Sequence, residues 1–212
     1  DNNIVTNSGY GSSDVPMVGP EVWVRATNNG PSGPGLFKSS DYGATFTKIN
    51  AIETPYMDFV SSYKGFGGGG GPLIVTYDGG LTWLDMTAGL PSTFGFPLHA
   101  HPRDPQTVWT VPLNGDSDGR YPPDAAAAVW RSRDGGASWQ ALRAGLPQQS
   151  CFFTVLRQAM SGDRRSPAGV YFGTNTGSIF ASSDEGDTWD EIARHLPTVL
   201  ADPHAVQQVL VN

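Results

Sequence analysis

Short runs of apolar residues recur along the chain, and a polar turn containing glycine separates each run from a second one. The first runs of the four clearest pairs are residues 35–37, 73–75, 128–130 and 178–180, and the second runs are residues 46–49, 83–86, 139–142 and 189–192. Runs this short, rich in β-branched and aromatic residues and bounded by turn residues, indicate strands rather than helices. Each pair therefore predicts a β-hairpin, and the chain as a whole predicts an all-β fold.

One octapeptide forms the turn of all four hairpins. Its pattern is [ST]-x-D-x-G-x-[ST]-[WF], and its copies are SSDYGATF (39–46), TYDGGLTW (76–83), SRDGGASW (132–139) and SSDEGDTW (182–189). The aspartate is expected to accept hydrogen bonds from turn amides, the glycine to permit a positive φ, and the aromatic residue to begin the next strand and pack between sheets. The residues given these structural roles are Asp41, Gly43, Phe46, Asp78, Gly80, Trp83, Asp134, Gly136, Trp139, Asp184, Gly186 and Trp189.

The spacing of the repeat indicates the architecture. Successive octapeptide aspartates lie 37, 56 and 50 residues apart, a period typical of the four-stranded blades of a β-propeller. We therefore predict a single β-propeller domain over residues 1–212. Antiparallel blades are expected at residues 1–50, 51–90, 91–145 and 146–196, and residues 197–212 are expected to begin a further blade or to close the ring.

Two of these blades can be divided into strands. In the first blade we expect strands at residues 4–7, 35–40 and 46–49, with a long excursion after the first strand. In the fourth blade we expect strands at residues 151–158, 169–174, 178–183 and 188–193. Three alternatives stay open for the ring: a small closed ring, a ring in which some blades lack the motif, or a fragment of a larger ring that self-association would complete.

Composition and charge narrow the classes of partner. The chain has 212 residues, 38% of them hydrophobic, with a net charge of −7 at pH 7 and a pI of about 4.9. A negative surface repels phosphate groups, so we expect no nucleic-acid partner and no membrane partner. No apolar run approaches the roughly 18 residues needed to cross a bilayer. The single cysteine, Cys151, excludes an intrachain disulfide and predicts a small buried apolar side chain.

The four octapeptides resemble the Asp-box, also called the bacterial neuraminidase repeat (BNR). Residues 65–196 resemble the sialidase-like family of repeat propellers, with matching segments MTAGLP (86–91), HAHPRDP (99–105) and GVYFG (169–173). Residues 35–49 are more similar to xyloglucanase-type propellers. The resemblance implies a propeller, usually of six or seven blades, in which each Asp-box is a structural corner away from the central cleft.

The same resemblance does not identify a reaction. A sialidase implies three arginines on the sugar carboxylate, a Tyr–Glu nucleophile pair and an aspartic acid, and its Arg-Ile-Pro signature is absent here. Xyloglucanases place two aspartates across a cleft between two propellers, an arrangement that 212 residues cannot hold. Because a fold does not carry function, a binding scaffold and a glycoside hydrolase both stay open.

Five residues are candidates for ligand binding: four lie on, or just after, predicted inner strands, which line the axial channel of a propeller, and the fifth is a tyrosine in a loop beside Pro122. They are His99, His101, Arg103, Arg157 and Tyr121. His99 and His101 alternate along a strand and are expected on one face, where they could hold a metal if a third ligand joined them. A guanidinium could bind a sugar hydroxyl or carboxylate, and a loop tyrosine could stack on a sugar ring. The alternatives are a polar channel lining for the histidines and an ion pair between blades for Arg157.

The insertion in the third blade is acidic. Asn114, Asp116 and Asp118 alternate as in the first half of a calcium-binding loop. Ala125 stands where such a loop needs a bidentate glutamate. The alternatives are an exposed acidic loop or, with Asp124, a pair of carboxylates for glycoside hydrolysis. We predict no cofactor besides this structural calcium.

These observations favour a propeller that binds a carbohydrate or a protein through its axial face. The first alternative is a glycoside hydrolase, or a fragment of one, that uses loop carboxylates at the mouth of the channel. The second is an engineered or recombined propeller without activity, because the family character changes near Gly65 and the chain begins at Asp1. The sequence does not fix the compartment, although a secreted or periplasmic location is favoured.

Overall fold

The four repeats fold as four separate antiparallel sheets. The computed structural model describes residues 16–26, 33–52, 56–68, 71–156 and 159–199, which form sixteen strands and two short 3₁₀ turns. In each sheet the strands follow chain order, so every sheet is a four-stranded meander. The predicted all-β architecture of four-stranded antiparallel sheets is confirmed. Within these ranges no helix is long and apolar enough to span a membrane.

The sheets divide between two compact units. Sheets one and two lie in the first unit and sheets three and four in the second. Sheet one contains β1 (Met17–Val18), β2 (Glu21–Ala26), β3 (Gly35–Ser39) and β4 (Thr47–Asn50), and sheet two contains β5 (Tyr56–Phe59), β6 (Gly65–Gly68), β7 (Ile74–Thr76) and β8 (Leu84–Asp85). Sheet three contains β9 (Gly95–Ala100), β10 (Val108–Pro112), β11 (Val129–Ser132) and β12 (Gln140–Leu142), and sheet four contains β13 (Met160–Gly162), β14 (Val170–Gly173), β15 (Ile179–Ser182) and β16 (Asp190–Ala193). A single domain over residues 1–212 stays a prediction.

The first strands of two blades differ from the sequence-based expectation. Residues 4–7, and the fifth blade or ring closure at 200–212, lie outside the described residues. The segment expected to be an excursion instead contains β2, whose Val22 and Trp23 are buried. The prediction that residues 151–158 form the first strand of sheet four is wrong, because the first strand of this sheet is Met160–Gly162. Cys151, Phe153 and Val155 alternate as buried side chains, but the Thr154 amide bonds to a side chain, Asn175 Oδ1, at 2.7 Å instead of to a neighbouring strand.

Every octapeptide closes its turn with the same set of hydrogen bonds. In the third copy, Ser132 Oγ donates to Asp134 Oδ1 and accepts from the Gly136 amide, both at 2.8 Å. The Ser138 amide donates to Asp134 Oδ1 at 2.8 Å, and the Ser138 hydroxyl donates to Oδ2 at 2.5 Å. The other three copies repeat these bonds. The bonds from Ser138 hold the pKa of Asp134 below its usual range, so the carboxylate is ionised at neutral pH.

The octapeptide glycines are required by both conformation and packing. Gly80 and Gly186 have φ values of +98° and +95°, which favour glycine. A Cβ at Gly80 would lie 2.8 Å from Leu36 of the preceding sheet, and one at Gly186 would lie 2.7 Å from Leu142. The turn of each later sheet is therefore pressed against the core of the sheet before it in the same unit.

The aromatic residue that ends each octapeptide has a different environment in each copy. Trp189 is buried, with its ring 5.2 Å from that of Phe172. Trp139 is partly exposed and donates from Nε1 to the Met86 carbonyl at 2.8 Å. Phe46 and Trp83 are likewise only partly buried. The expected packing of this position between sheets is therefore complete only at Trp189.

A tryptophan on the second strand of one sheet binds the octapeptide of the next sheet in each unit. Trp23 Nε1 donates to the Gly79 carbonyl at 2.9 Å, and Trp109 Nε1 donates to the Glu185 carbonyl at 2.9 Å. Both tryptophans are fully buried. Both accepting carbonyls belong to the residue just before the positive-φ glycine of the octapeptide. This contact, here called the indole hydrogen bond, joins consecutive sheets at equivalent positions.

A cation accompanies each indole hydrogen bond. Lys38 and Arg131 pair with Trp23 and Trp109, respectively, across adjacent strands. Lys38 Nζ lies 4.7 Å from the centre of the Trp23 ring, and Arg131 donates to the same Glu185 carbonyl at 2.9 Å. A tryptophan and a basic residue therefore face each other on adjacent strands in both compact units, as expected for copies of one structural repeat.

We expect Trp109→Phe to lower the free energy of unfolding by about 1–3 kcal/mol, because it keeps a buried ring but removes the indole hydrogen bond. Urea unfolding followed by circular dichroism measures this change. The control is Trp130→Phe, which alters a partly exposed tryptophan on the adjacent strand β11. Equal losses in the two variants would contradict a specific role for the indole hydrogen bond.

Candidate functional site

The His99 side chain lies partly buried on strand β9. Its ring stacks on Trp109 with centroids 5.9 Å apart. Its Nε2 has no solvent contact and no hydrogen-bond partner among the described residues. A Cβ at Gly162 would lie 2.2 Å from this nitrogen, so only a glycine fits there. Burial, and then the neighbouring His101, lower the pKa of His99 to about 4, and the ring is neutral at physiological pH.

His101 caps the turn that follows strand β9. Its Nδ1 accepts from the Arg103 amide at 3.0 Å and from the Asp104 amide at 2.8 Å. Because two donors face Nδ1, a neutral ring carries its proton on Nε2, which lies 3.6 Å from the Glu185 carboxylate. The side chain is buried and stacks on Trp109 at 5.7 Å. His101 thus already has two hydrogen-bond donors at Nδ1, and its Nε2 faces a carboxylate.

Arg103 is exposed, but its guanidinium is held by backbone carbonyls. It donates to the Arg164 carbonyl at 2.5 Å and to the Arg165 carbonyl. Both carbonyls lie in the connection between β13 and β14, so Arg103 ties sheet three to sheet four within the second unit. Arg157 lies outside the described residues. Ligand binding by these two arginines stays a prediction.

The acidic insertion is organised by an ion pair. Asp116–Asp118 forms a 3₁₀ turn, and the Asp116 carboxylate contacts Arg120 Nε at 2.5 Å. This bond to Arg120 holds the pKa of Asp116 below its usual range. Among the described residues, no group of three or more His, Cys, Asp or Glu side chains could hold a metal ion. Calcium at Asn114, Asp116 and Asp118 stays a prediction.

Tyr121 lies where two irregular loops meet. These loops, residues 113–128 and 143–156, are here called the loop platform. The Asn114 amide donates to the Tyr121 carbonyl at 2.8 Å, which closes the first loop on itself. The bonds between the two loops include Thr154 Oγ1 to the Arg120 carbonyl at 2.7 Å, the Cys151 amide to the Ala125 carbonyl at 3.0 Å, the Ala127 amide to the Pro147 carbonyl at 3.0 Å, and Gln148 Nε2 to the Ala127 carbonyl at 2.9 Å.

Backbone strain concentrates on the loop platform. Seven non-glycine residues of the described ranges have positive φ, and four of them are on the platform. The four are Arg120 (54°), Asp124 (61°), Ala125 (49°) and Ser150 (56°). Such conformations are costly and persist where the surrounding structure enforces them, which is common at ligand-binding sites. The hydrogen bonds between the loops provide this enforcement.

An aromatic pair, the exposed Phe152 and the partly buried Tyr121, lies at the surface of the platform. The rings of Tyr121 and Phe152 are 5.2 Å apart at an interplanar angle of 70°, and Phe152 exposes 65% of its surface. Phe152 is not among the residues predicted to bind a ligand, because residues 151–158 were predicted to form a strand. The signal was present, since Phe152 falls on the opposite side from the alternating Cys151, Phe153 and Val155.

The described carboxyl groups whose pKa is shifted share one direction of shift. A general acid for glycoside hydrolysis needs a raised pKa, whereas every described carboxyl with a shifted pKa has it lowered. These residues are Asp41, Asp78, Asp104, Asp116, Asp134, Asp163, Asp184 and Glu185. Their carboxylates serve turns and ion pairs.

A small pocket of about 250 Å³ lies in the first unit. It is lined by Lys38, Ser40, Asp41, Thr45, Thr47 and Ile49. Its two charged side chains already have partners, because Lys38 Nζ contacts Glu21 at 2.7 Å and Asp41 Oδ2 accepts from Thr45 at 2.6 Å. The bonds from Thr45 and Ser39 lower the pKa of Asp41 to about 2. The pocket is therefore a by-product of the octapeptide turn.

No protein-family model matches this chain, and no curated protein sequence matches it. Among solved structures it is similar to an ancestral GH74 enzyme, at 21% identity and a TM-score of 0.59, over 84% of this chain and 23% of that chain. It is also similar to the GH74 xyloglucanase from Xanthomonas campestris (12% identity, TM-score 0.48, 82% of this chain and 29% of that chain) and to YCF48 bound to D1 peptide (16%, 0.38, 84% and 66%). The first likeness shows that the sheets are blades of a β-propeller, and the chain spans less than a quarter of that enzyme.

The His99 environment predicts a pH dependence of stability. The pKa of His99 is about 4 in the folded chain and near 6.5 when unfolded, so the unfolded chain binds more protons between these values. Above pH 6.5 His99 is neutral in both states and does not change the free energy of unfolding. As the pH falls from 6.5 towards 4, proton binding by the unfolded chain lowers the free energy of unfolding, by up to about 3 kcal/mol. In His99→Leu, urea unfolding should lose less stability between pH 7 and pH 4.5 than in the wild type. The control His195→Asn, at an exposed histidine, should keep the wild-type slope, and a wild-type slope in His99→Leu would contradict the assignment.

Proposed function

We propose that this chain is a non-catalytic β-propeller that binds carbohydrate on the loop platform. One observation carries the proposal: two loops that contain no strand are locked together, hold four left-handed non-glycine residues and present the exposed Phe152 beside the partly buried Tyr121. Loops held by a rigid scaffold are the usual place for binding residues. A preorganised surface also loses little conformational entropy when a ligand binds.

Binding is favoured over hydrolysis by the state of the carboxyl groups. Hydrolysis of a glycosidic bond needs one protonated and one ionised carboxyl on opposite sides of the bond. On the platform, Asp116 is paired with Arg120 and has a lowered pKa. This electrostatic environment suits hydrogen bonding to hydroxyl groups better than proton donation to a leaving group.

Two likenesses are compatible with this proposal. The GH74 enzyme that shares the fold acts, by its class name, on glycosides. We also propose that the four octapeptides are Asp-boxes in the sialidase-like sense, which is supported by their identical hydrogen bonds around one carboxylate. A protein ligand is the second candidate, and completion of a larger ring by self-association stays a prediction.

The proposal is tested by affinity gel electrophoresis of the whole chain. The gels contain hydroxyethyl cellulose, galactomannan or polygalacturonate, and a reducing-end assay runs in parallel on the same polysaccharides. We expect retardation by at least one neutral polysaccharide and no release of reducing ends. Migration unaffected by all three polysaccharides would contradict glycan binding, and release of reducing ends would contradict a non-catalytic role.

A variant pair tests whether the platform carries the binding. Thr154→Val keeps the shape of the side chain but removes its bond to the Arg120 carbonyl, which joins the two loops. We expect about 2- to 10-fold weaker retardation, as one hydrogen bond suggests. The control Thr47→Val changes an exposed threonine on β4 of the first unit and should migrate like the wild type.

A further inference from the structure

We infer that Phe152 and Tyr121 form a stacking subsite for an uncharged pyranose ring. The inference rests on the proposed function, since it names the part of the loop platform that contacts the sugar. The chemistry of the pair, its enforced exposure and the groups beside it each contribute to the assignment.

The exposure of Phe152 is enforced by its neighbours. Cys151 and Phe153 are both buried, so the intervening side chain must point outward. The Cys151 amide donates to the Ala125 carbonyl at 3.0 Å, and the Phe152 amide donates to the Ser150 carbonyl at 2.9 Å. Ser150 itself is held at a φ of 56°. The ring therefore cannot turn inward without breaking these contacts, and its apolar surface stays in water.

Tyr121 completes a corner beside this ring. The two rings meet at 70°, so one offers a flat surface and the other stands across it. Gly119 lies against the tyrosine, because a Cβ there would be only 3.2 Å from ring carbon Cε1. The closing bond from the Asn114 amide fixes the tyrosine backbone at 2.8 Å. The corner is thus present before any ligand arrives.

A pyranose ring fits such a corner chemically. Its face carries C–H groups with partial positive charge, and the face of an aromatic ring carries partial negative charge. Stacking also removes the exposed surface of Phe152 from water, which is favourable. The edge of the sugar carries hydroxyl groups, which need polar partners once they are partly desolvated.

Two exposed carboxylates on the same loop favour a ligand with many hydrogen-bond donors. Asp118 and Asp124 stand three residues before and three residues after Tyr121, and both are exposed. Ionised carboxylates only accept hydrogen bonds. A sugar offers several hydroxyl donors, whereas a proline-rich peptide, the other common partner of exposed aromatic rings, lacks amide donors at its prolines. These carboxylates also disfavour a sugar that carries its own carboxylate.

The test measures dissociation constants by affinity gel electrophoresis for the wild type, Phe152→Ala, Phe152→Leu, Phe152→Trp and Tyr121→Ala. We expect Phe152→Ala to bind the neutral polysaccharide about tenfold more weakly, as the loss of one aromatic stacking contact suggests. Phe152→Leu keeps apolar bulk without an aromatic face and should be similarly weakened, whereas Phe152→Trp should bind at least as well as the wild type. Tyr121→Ala should also weaken binding.

The control is Tyr63→Ala, which removes a tyrosine of the first unit that exposes 56% of its surface, and it should bind like the wild type. Thermal unfolding of each variant verifies that it is folded. Wild-type affinity in Phe152→Leu, or tighter binding to polygalacturonate than to neutral polysaccharides, would overturn the subsite while leaving glycan binding intact. Retention of the wild type by a polyproline peptide and by no polysaccharide would overturn both the subsite and the proposed function.

Discussion

The indole hydrogen bond is the contact on which the rest of the structure depends. A buried tryptophan of one sheet donates to a carbonyl that the next octapeptide turn presents, as Trp109 does to Glu185 at 2.9 Å. That carbonyl is presented only because the aspartate fixes the turn and the following glycine has a positive φ. An unpaired indole N–H in this core would cost roughly 1–3 kcal/mol. The hydrogen bonds that form the turn therefore also position the carbonyl through which one sheet packs against the next.

The indole hydrogen bond fixes the turns and the packing of the sheets, but it does not fix the conformation of the loops outside the sheets. The scaffold of sheets three and four holds the ends of the loop platform, so strained residues such as Asp124 and Ser150 can persist there. In the turns of the sheets the polar side chains are already engaged with backbone or with each other. The platform instead exposes an aromatic side chain, Phe152, whose ring lies 5.2 Å from that of Tyr121, and this is the surface for which we propose a role in recognition.

The fates of the candidate polar residues show why residue type alone is a weak guide to a binding site. His101 and Arg103 have the chemistry of ligand-binding groups, but the first caps a turn and the second binds two backbone carbonyls. Histidine and arginine have several donors or acceptors, and a buried backbone group satisfies them as well as a ligand does. Phe152 has no polar atom in its side chain, and its exposure rather than its chemistry is the reason why we propose a role for it in recognition.

The sequence by itself determined the hairpins, the octapeptide turns and the four-stranded sheets, because the bonds that close each turn join residues only two to four positions apart. The tertiary structure decided the first strands of sheets one and four, the packing role of His99 and the exposure of Phe152. It also decided the indole hydrogen bonds, whose partners are 56 and 76 positions apart. Hydrogen bonds between residues close in the chain can be recognised from the sequence pattern, whereas burial depends on which distant segments come together.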